Sequence, residues 1–278
     1  MLIPAHELNE HLADPEWIVF DCRHDLANFA RGAECYRQGH VPRARFAPVE
    51  TALSGLKTGT NGRHPLPRPD DFAGFLARHG VCASTQIVAY DDVGGQYAAR
   101  LWWLARWIGL HRVAVLDGGF PKWIAEGFAV TADVAAPQDG GLVVAHPDAT
   151  RVCSAADILA RMRTNQCLVL DARSPERFRG ESEPIDKVAG RIPAAENRFF
   201  KANLRSDLTM RSAVELRREF EELLARRSPA EVIHHCGSGV TACVNLLAME
   251  YAGFAGSKLY VGSWSEWIAD PARPIARG

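Results

Sequence analysis

Short apolar runs rich in β-branched residues alternate along this chain with stretches whose apolar residues recur every three or four positions. The runs around Ile18-Val19-Phe20, Ile87-Val88-Ala89, Leu168-Val169-Leu170 and Val232-Ile233 are of the first kind and read as buried strands. The second kind includes Pro4 to Leu12, Ser154 to Met162 and the segment after Ser212. There Ser212 and Glu215 form a capping box, and Leu216, Phe220, Leu223 and Leu224 follow at helical spacing. Another helix is predicted from Thr241, carrying Val244, Leu247, Ala248 and Tyr251 on its apolar side and stopping at Gly253. Trp102, Trp103 and Trp107 fall on one more helix and read as packing residues. Alternation of this kind predicts an α/β fold, a parallel sheet with helices on both faces.

The pattern occurs twice. Asp21, at the end of one strand, has a counterpart in Asp171, 150 positions on, and both belong to an Asp-x-Arg triplet ending in Arg23 or Arg173. Gly39-His40-Val41-Pro42 recurs as Gly190-Arg191-Ile192-Pro193. Asp91 stands opposite Cys236, and Gly118, in the run from Val115 to Trp123, stands opposite Gly262, in the run from Leu259 to Trp267. Order and spacing persist while residues differ, which predicts two domains of one design. Residues 1–135 are expected to form the first and 151–278 the second, joined by an Ala/Pro/Gly/Asp-rich linker over 136–150.

Composition narrows the partners. A chain of 278 residues, 47% hydrophobic and 23% charged, has material for two cores. The formal net charge of −1 gives no field of one sign, so neither nucleic acid nor a membrane surface is an expected partner, and a small molecule is. The N-terminus lacks a basic stretch followed by an apolar one, which predicts a cytoplasmic protein. The seven cysteines form an odd set without Cys-x-x-Cys, neither a disulfide framework nor a zinc ribbon.

Cys236 differs from the others in its setting. It ends a strand and opens Cys-Gly-Ser-Gly-Val-Thr, which leads into a helix. A strand that turns through glycines into a helix aims backbone N–H groups at one point, where the helix dipole adds about half a positive charge. Such a cradle can lower a cysteine pKa from about 8.5 to between ~3.5 and ~7.5. A cysteine closing a buried strand is most often inert filler, but Gly237, Gly239, Ser238 and Thr241 favour chemistry here. The first copy has Asp91 at this place and no thiol; that domain is expected to be catalytically inactive. A cysteine phosphatase would close the same cradle with an arginine six positions after the cysteine, where this chain has Ala242. His234-His235-Cys236 is no metal site, because neighbours on a strand point to opposite faces, and neither a metal nor a cofactor is expected.

Taken together, the paired Asp-x-Arg strands, the paired glycine-proline turns, the Asp117 to Trp123 segment and the Cys236 to Thr241 loop resemble the tandem-domain rhodanese family of thiosulfate and 3-mercaptopyruvate sulfurtransferases. The resemblance spans nearly the whole chain. It implies two rhodanese-like domains and transfer of a sulfane sulfur, through a persulfide on Cys236, to a thiol or cyanide; a protein thiol such as thioredoxin is an acceptor it allows. The loop Cys-Gly-Ser-Gly-Val-Thr resembles that of the mercaptopyruvate enzymes. By the same resemblance, Ser238, His64 and Glu50 form a serine-protease-like relay, and Arg177 anchors an anionic donor. Gly237, Gly239, Val240, Thr241 and Arg100 complete the expected substrate site. The pattern departs nine residues after Arg177, where mercaptopyruvate enzymes carry a second arginine and this chain has Asp186. A carboxylate there opposes an anion, which keeps thiosulfate as the alternative donor. A persulfide carrier without multiple turnover is the non-enzymatic alternative.

Overall fold

The computed structural model describes residues 1–134, 140–162, 164 and 166–278. They form two compact units, each built on five parallel strands. In the first unit β1 (Leu2–Ile3), β2 (Trp17–Asp21), β3 (Arg45–Phe46), β4 (Gln86–Tyr90) and β5 (Val113–Leu116) lie in the order β1-β5-β4-β2-β3. In the second, β6 (Val152–Cys153), β7 (Leu168–Asp171), β8 (Glu196–Asn197), β9 (Val232–His235) and β10 (Lys258–Tyr260) lie in the order β6-β10-β9-β7-β8. Strand for strand the two sheets have one topology, as the sequence repeat requires.

Helices cover both faces. The first unit has α1 (Ala5–His11), α2 (Arg31–Gln38), α3 (Pro69–Arg78), α4 (Ala98–Trp107) and α5 (Gly119–Ala125). Val19 and Val88 pack with Leu8 of α1 and Trp123 of α5 on one side, while Phe20, the next residue along β2, turns the other way and meets Phe75 of α3 at 5.7 Å. The second unit has α6 (Ala155–Met162), α7 (Pro175–Arg179), α8 (Ala213–Leu224), α9 (Ala242–Tyr251) and α10 (Ser263–Trp267). Val169 and Ile233 pack with Ile158 of α6 and with Trp264 and Trp267 of α10. The capping box of α8 is formed, with Ser212 N–H donating to Glu215 Oε2 at 2.9 Å and Glu215 N–H donating to Ser212 Oγ at 3.3 Å. Trp102, Trp103 and Trp107 are buried on α4.

The repeated motifs turn out to be one brace used twice. Arg23 donates through Nε and Nη2 to both carboxylate oxygens of Asp21 and through Nη2 to the Gly39 carbonyl at 2.6 Å. Arg173 does the same with Asp171, and its Nη2 reaches the Gly190 carbonyl at 2.8 Å. Each guanidinium also lies over an aromatic ring, Phe120 for Arg23 at 4.2 Å and Trp264 for Arg173 at 4.9 Å. Three separate sequence signatures are therefore tied together around one buried arginine in each unit.

The compact units and the two halves of the sequence differ in their segments. The first unit comprises Met1–Gly55, Leu66–Asp148 and Leu204–Met210; the second comprises Leu56–Pro65, Ala149–Asn203 and Arg211–Gly278. Each half of the sequence thus lends a segment to the other unit, which a repeat pattern does not reveal because the lent segments are loops. Of the expected linker, residues 136–139 lie outside the described residues. Residues 140–148 are part of the first unit, where Leu142 bridges Cys82 and the N–H groups of His146 and Asp148 bond the carbonyls of Ile108 and Trp107.

Candidate active site

In the second unit β9 delivers Cys236 to the carboxyl edge of the sheet, where α/β folds place their ligands. Between Cys236 and Thr241, which precedes α9, the backbone must fold back sharply. Gly239 has φ +76°, and a Cβ on it would lie 2.3 Å from the Val261 carbonyl oxygen, so only glycine fits. That turn directs the Gly239 N–H at Cys236 Sγ, 3.2 Å away. Val240 is buried beside it, and the carbonyls of Val240 and Thr241 accept from the N–H groups of Cys243 and Val244 as the helix begins.

The first turn of α10 holds the loop in place. Ser263 sits at φ +53°, a costly conformation for a residue with a side chain. Its Oγ accepts from the Cys236 N–H at 3.1 Å and donates to the Tyr260 carbonyl at 2.9 Å. The N–H groups of Trp264 and Ser265 then bond the carbonyls of Cys236 and Gly237 at 3.0 and 2.9 Å. Neither serine was singled out from the sequence; the signal was their position in the second copy of the glycine-tryptophan motif.

His64 reaches this loop because its segment, 56–65, belongs to the second unit. His64 and Ser238 are both buried, and His64 Nδ1 and Ser238 Oγ share a hydrogen bond of 2.8 Å. Two of the expected relay members therefore meet. Glu50 belongs to the first unit, where its Oε1 is 3.7 Å from Nε2 of the buried His24. Arg100 is likewise in the first unit, fully buried on α4 with Nε 3.4 Å from the Leu53 carbonyl.

Arg177 on α7 carries carboxylates on two sides. Its Nε and Nη2 grip Glu183 at 2.7 to 3.1 Å, and Nη2 also reaches Asp186 Oδ2 at 3.1 Å. Asp186 in turn pairs with Arg63, the residue before His64. Asp186 is thus a bridge between two guanidinium groups and not an isolated charge opposing an anion. Arg63 was missed because an arginine in Asn-Gly-Arg-His reads as a solvated loop residue; its adjacency to His64 was the available clue.

The two histidines before Cys236 are core residues. Burial pulls both imidazoles down, His234 to about 3, so both are neutral at physiological pH. His235 Nδ1 lies 3.2 Å from the Cys236 carbonyl, and its Nε2 faces Asp171 at 3.6 Å.

In the first unit Asp91 fills the position of Cys236 with a carboxylate. Its Oδ1 accepts from the N–H groups of Val93 and Gly95 at 2.9 and 2.8 Å, and its Oδ2 from those of Tyr97 and Ala98 at 2.8 and 3.0 Å. Burial pushes the Asp91 carboxyl up, and these four donors pull against it. The strand-loop-helix cradle in this very chain therefore converges four backbone donors on one carboxyl group.

The description of the rhodanese-like domain matches residues 4–126 and again 154–270. A relative from Pseudomonas aeruginosa, named a probable 3-mercaptopyruvate sulfurtransferase, is 44% identical over 279 residues, covering 100% of this chain and 98% of its own. One from Arabidopsis thaliana, named thiosulfate/3-mercaptopyruvate sulfurtransferase 2, is 32% identical over 96% of this chain and 84% of its own. Among solved structures, SseA from Escherichia coli, described as a 3-mercaptopyruvate sulfotransferase with the rhodanese fold, superposes with a TM-score of 0.81 at 30% identity, over 95% of this chain and 98% of that one.

Proposed function

The chain belongs to the rhodanese family, as a tandem of two rhodanese-like domains with sulfurtransferase activity, and from this we propose that it takes sulfur from 3-mercaptopyruvate onto Cys236 and passes it to a thiol or cyanide. The observation that carries the choice of donor is the Ser238–His64 hydrogen bond two residues from the nucleophile. A Cys236 thiolate attacks the donor sulfur, forming a sulfur–sulfur bond while the carbon–sulfur bond breaks and its electron pair leaves on the enolate of pyruvate. That carbon needs a proton, and the thiol proton of the donor is free to reach it through Ser238 and His64. The persulfide anion left on Cys236 faces the Gly239 N–H, the same contact that Sγ now makes. An acceptor thiolate or cyanide then bonds to the outer sulfur, and the electron pair returns to Cys236.

In this reading Arg177 holds the carboxylate of the donor, exchanging part of its pairing with Glu183 and Asp186 for it, and Gly237, Gly239, Val240 and Thr241 complete the donor site. A protein thiol such as thioredoxin is the proposed physiological acceptor. All seven cysteines are free, in keeping with a reducing cytoplasm, and no helix among the described residues is long and apolar enough to cross a membrane.

Steady-state comparison of donors tests the reading. Ser238→Ala is expected to lower kcat with mercaptopyruvate by about a hundredfold, the usual size of a general acid–base contribution, while sulfur loading from thiosulfate, which needs no proton, stays within about threefold. Equal losses with both donors would show that Ser238 only shapes the loop. Wild-type protein that accepts sulfur from neither donor would refute the assignment itself.

A further inference from the structure

The Cys236 loop has no cation of its own, since Gly237 and Ser238 are uncharged. The space a side chain at Gly237 would fill is nonetheless occupied by charge. A Cβ on Gly237 would lie 2.7 Å from Arg63 Nη2, 3.4 Å from Arg177 Nη2 and 3.6 Å from Asp186 Oδ2. Two guanidinium edges therefore stand over the residue next to the nucleophile, one from α7 and one from the 56–65 segment.

Arg63 is fixed there at both ends. Its N–H donates to Ser265 Oγ at 3.1 Å, and the Ser265 N–H bonds the Gly237 carbonyl at 2.9 Å, so its backbone is tied to the loop. Its Nη1 pairs with Asp186, Nε is buried without a partner, and Nη2 bonds no described residue. Arg177 has Glu183 as a bidentate counter-ion; Arg63 has only a share of Asp186. Arg63 is thus the less neutralised of the two cations. Burial pulls its guanidinium down, and the negative charge of the Cys236 thiolate opposes that pull.

We propose that Arg63, held over Gly237 by Asp186, is a donor-specificity residue that supplies the cation missing from the loop and makes thiosulfate a second substrate of the same site. This rests on the persulfide reading of Cys236. In the thiosulfate half-reaction the Cys236 thiolate attacks the outer sulfur of the dianion, the new sulfur–sulfur bond forms as the old one breaks, and the electron pair departs on sulfite. Three negative charges enter and three leave, with no proton exchanged. The developing charge on the leaving sulfite is what a guanidinium beside Gly237 stabilises, through bonds matched to a planar fork. Mercaptopyruvate carries one carboxylate, for which Arg177 remains. A Cβ at position 237 would press on the Arg63 Nη2 that reaches in from 56–65, so a side chain there would shift this cation.

The test is single-turnover loading of Cys236, followed by intact mass, from thiosulfate and from mercaptopyruvate in the full chain and in Arg63→Ala and Arg63→Lys. Arg63→Ala is expected to slow loading from thiosulfate at least about tenfold more than loading from mercaptopyruvate, the scale of one charge-assisted contact. Competitive inhibition by sulfite should weaken in parallel, and Arg63→Lys should recover part of both. Mercaptopyruvate is the internal control, because displacement of the segment that carries His64 would harm that donor at least as much. Equal losses with both donors, or no loss with thiosulfate, would overturn the inference while leaving the persulfide reading intact. Wild-type protein loaded by neither donor would instead remove the reading on which it rests.

Discussion

Cys236→Ser is expected to lower sulfur transfer by at least about a thousandfold and to leave the fold unchanged, because the backbone N–H keeps its bond to Ser263 and a hydroxyl can accept from the Gly239 N–H, but a hydroxyl cannot form a persulfide. Three of the other thiols are badly placed to substitute. Cys22 is buried, with its thiol pushed well up by burial, and burial also pushes Cys153 up to about 12. Cys243 spends its hydrogen on the Gly239 carbonyl at 3.4 Å inside α9. Cys82 is the strongest rival, since hydroxyls of Ser84 and Thr85 at 3.3 Å hold its thiol below the ordinary range. Mass spectrometry of donor-treated wild-type protein should find one added sulfur per chain, on the peptide that contains Cys236. Sulfur on Cys82, or two per chain, would defeat the assignment.

The second large effect concerns stability. Asp91→Ala would leave four N–H groups without their acceptor in the first unit, those of Tyr97 and Ala98 buried and those of Val93 and Gly95 half-buried. At about 1 to 3 kcal/mol for each stranded polar group, partly relieved by water, a loss of at least about 3 kcal/mol is expected. That corresponds to a Tm lower by about ten degrees for a chain of this size. Asp91→Asn should recover only part, because its amide turns donors toward the donors of Tyr97 and Ala98. Thermal unfolding and sulfur loading measured on the same sample separate the roles. The variant protein that remains folded should still accept one sulfur, and a Tm unchanged within about two degrees would mean that the carboxylate is not what secures this loop.

The sequence made the architecture readable where the physics is local and repeated. Alternating strands and helices, the capping box of Ser212 and Glu215, and the paired Asp21-x-Arg23 and Asp171-x-Arg173 triplets each have a short-range cause that recurs at a fixed offset. Cys236 was legible for the same reason, since glycines, a strand end and a helix start occur within a few residues. What escaped notice depends on contacts distant in sequence. Arg63 and Asp186 are 123 positions apart, and nothing in either neighbourhood announces the pairing. Ser263 owes its importance to a left-handed backbone, a conformation that a serine does not advertise. Asp186 looked like a repulsive charge because a one-dimensional reading compares it with Arg177 alone; with Arg63 on its other side it becomes a shared counter-ion.

The loan of residues 56–65 to the second unit makes the catalytic half something other than an excisable module. A fragment beginning at residue 149 would keep Cys236, Ser238 and Arg177 and would lose both Arg63 and His64. A fragment ending at residue 148 would lose the piece 204–210, in which the Met210 N–H bonds Asp117 Oδ1 at 2.6 Å. Cut at the seam of the duplication, this chain would yield a complementation pair, each fragment carrying the missing part of the other. Recombination at that seam would exchange neither a complete fold nor a complete chemistry, so once the two copies had traded loops, their covalent linkage became part of the active site.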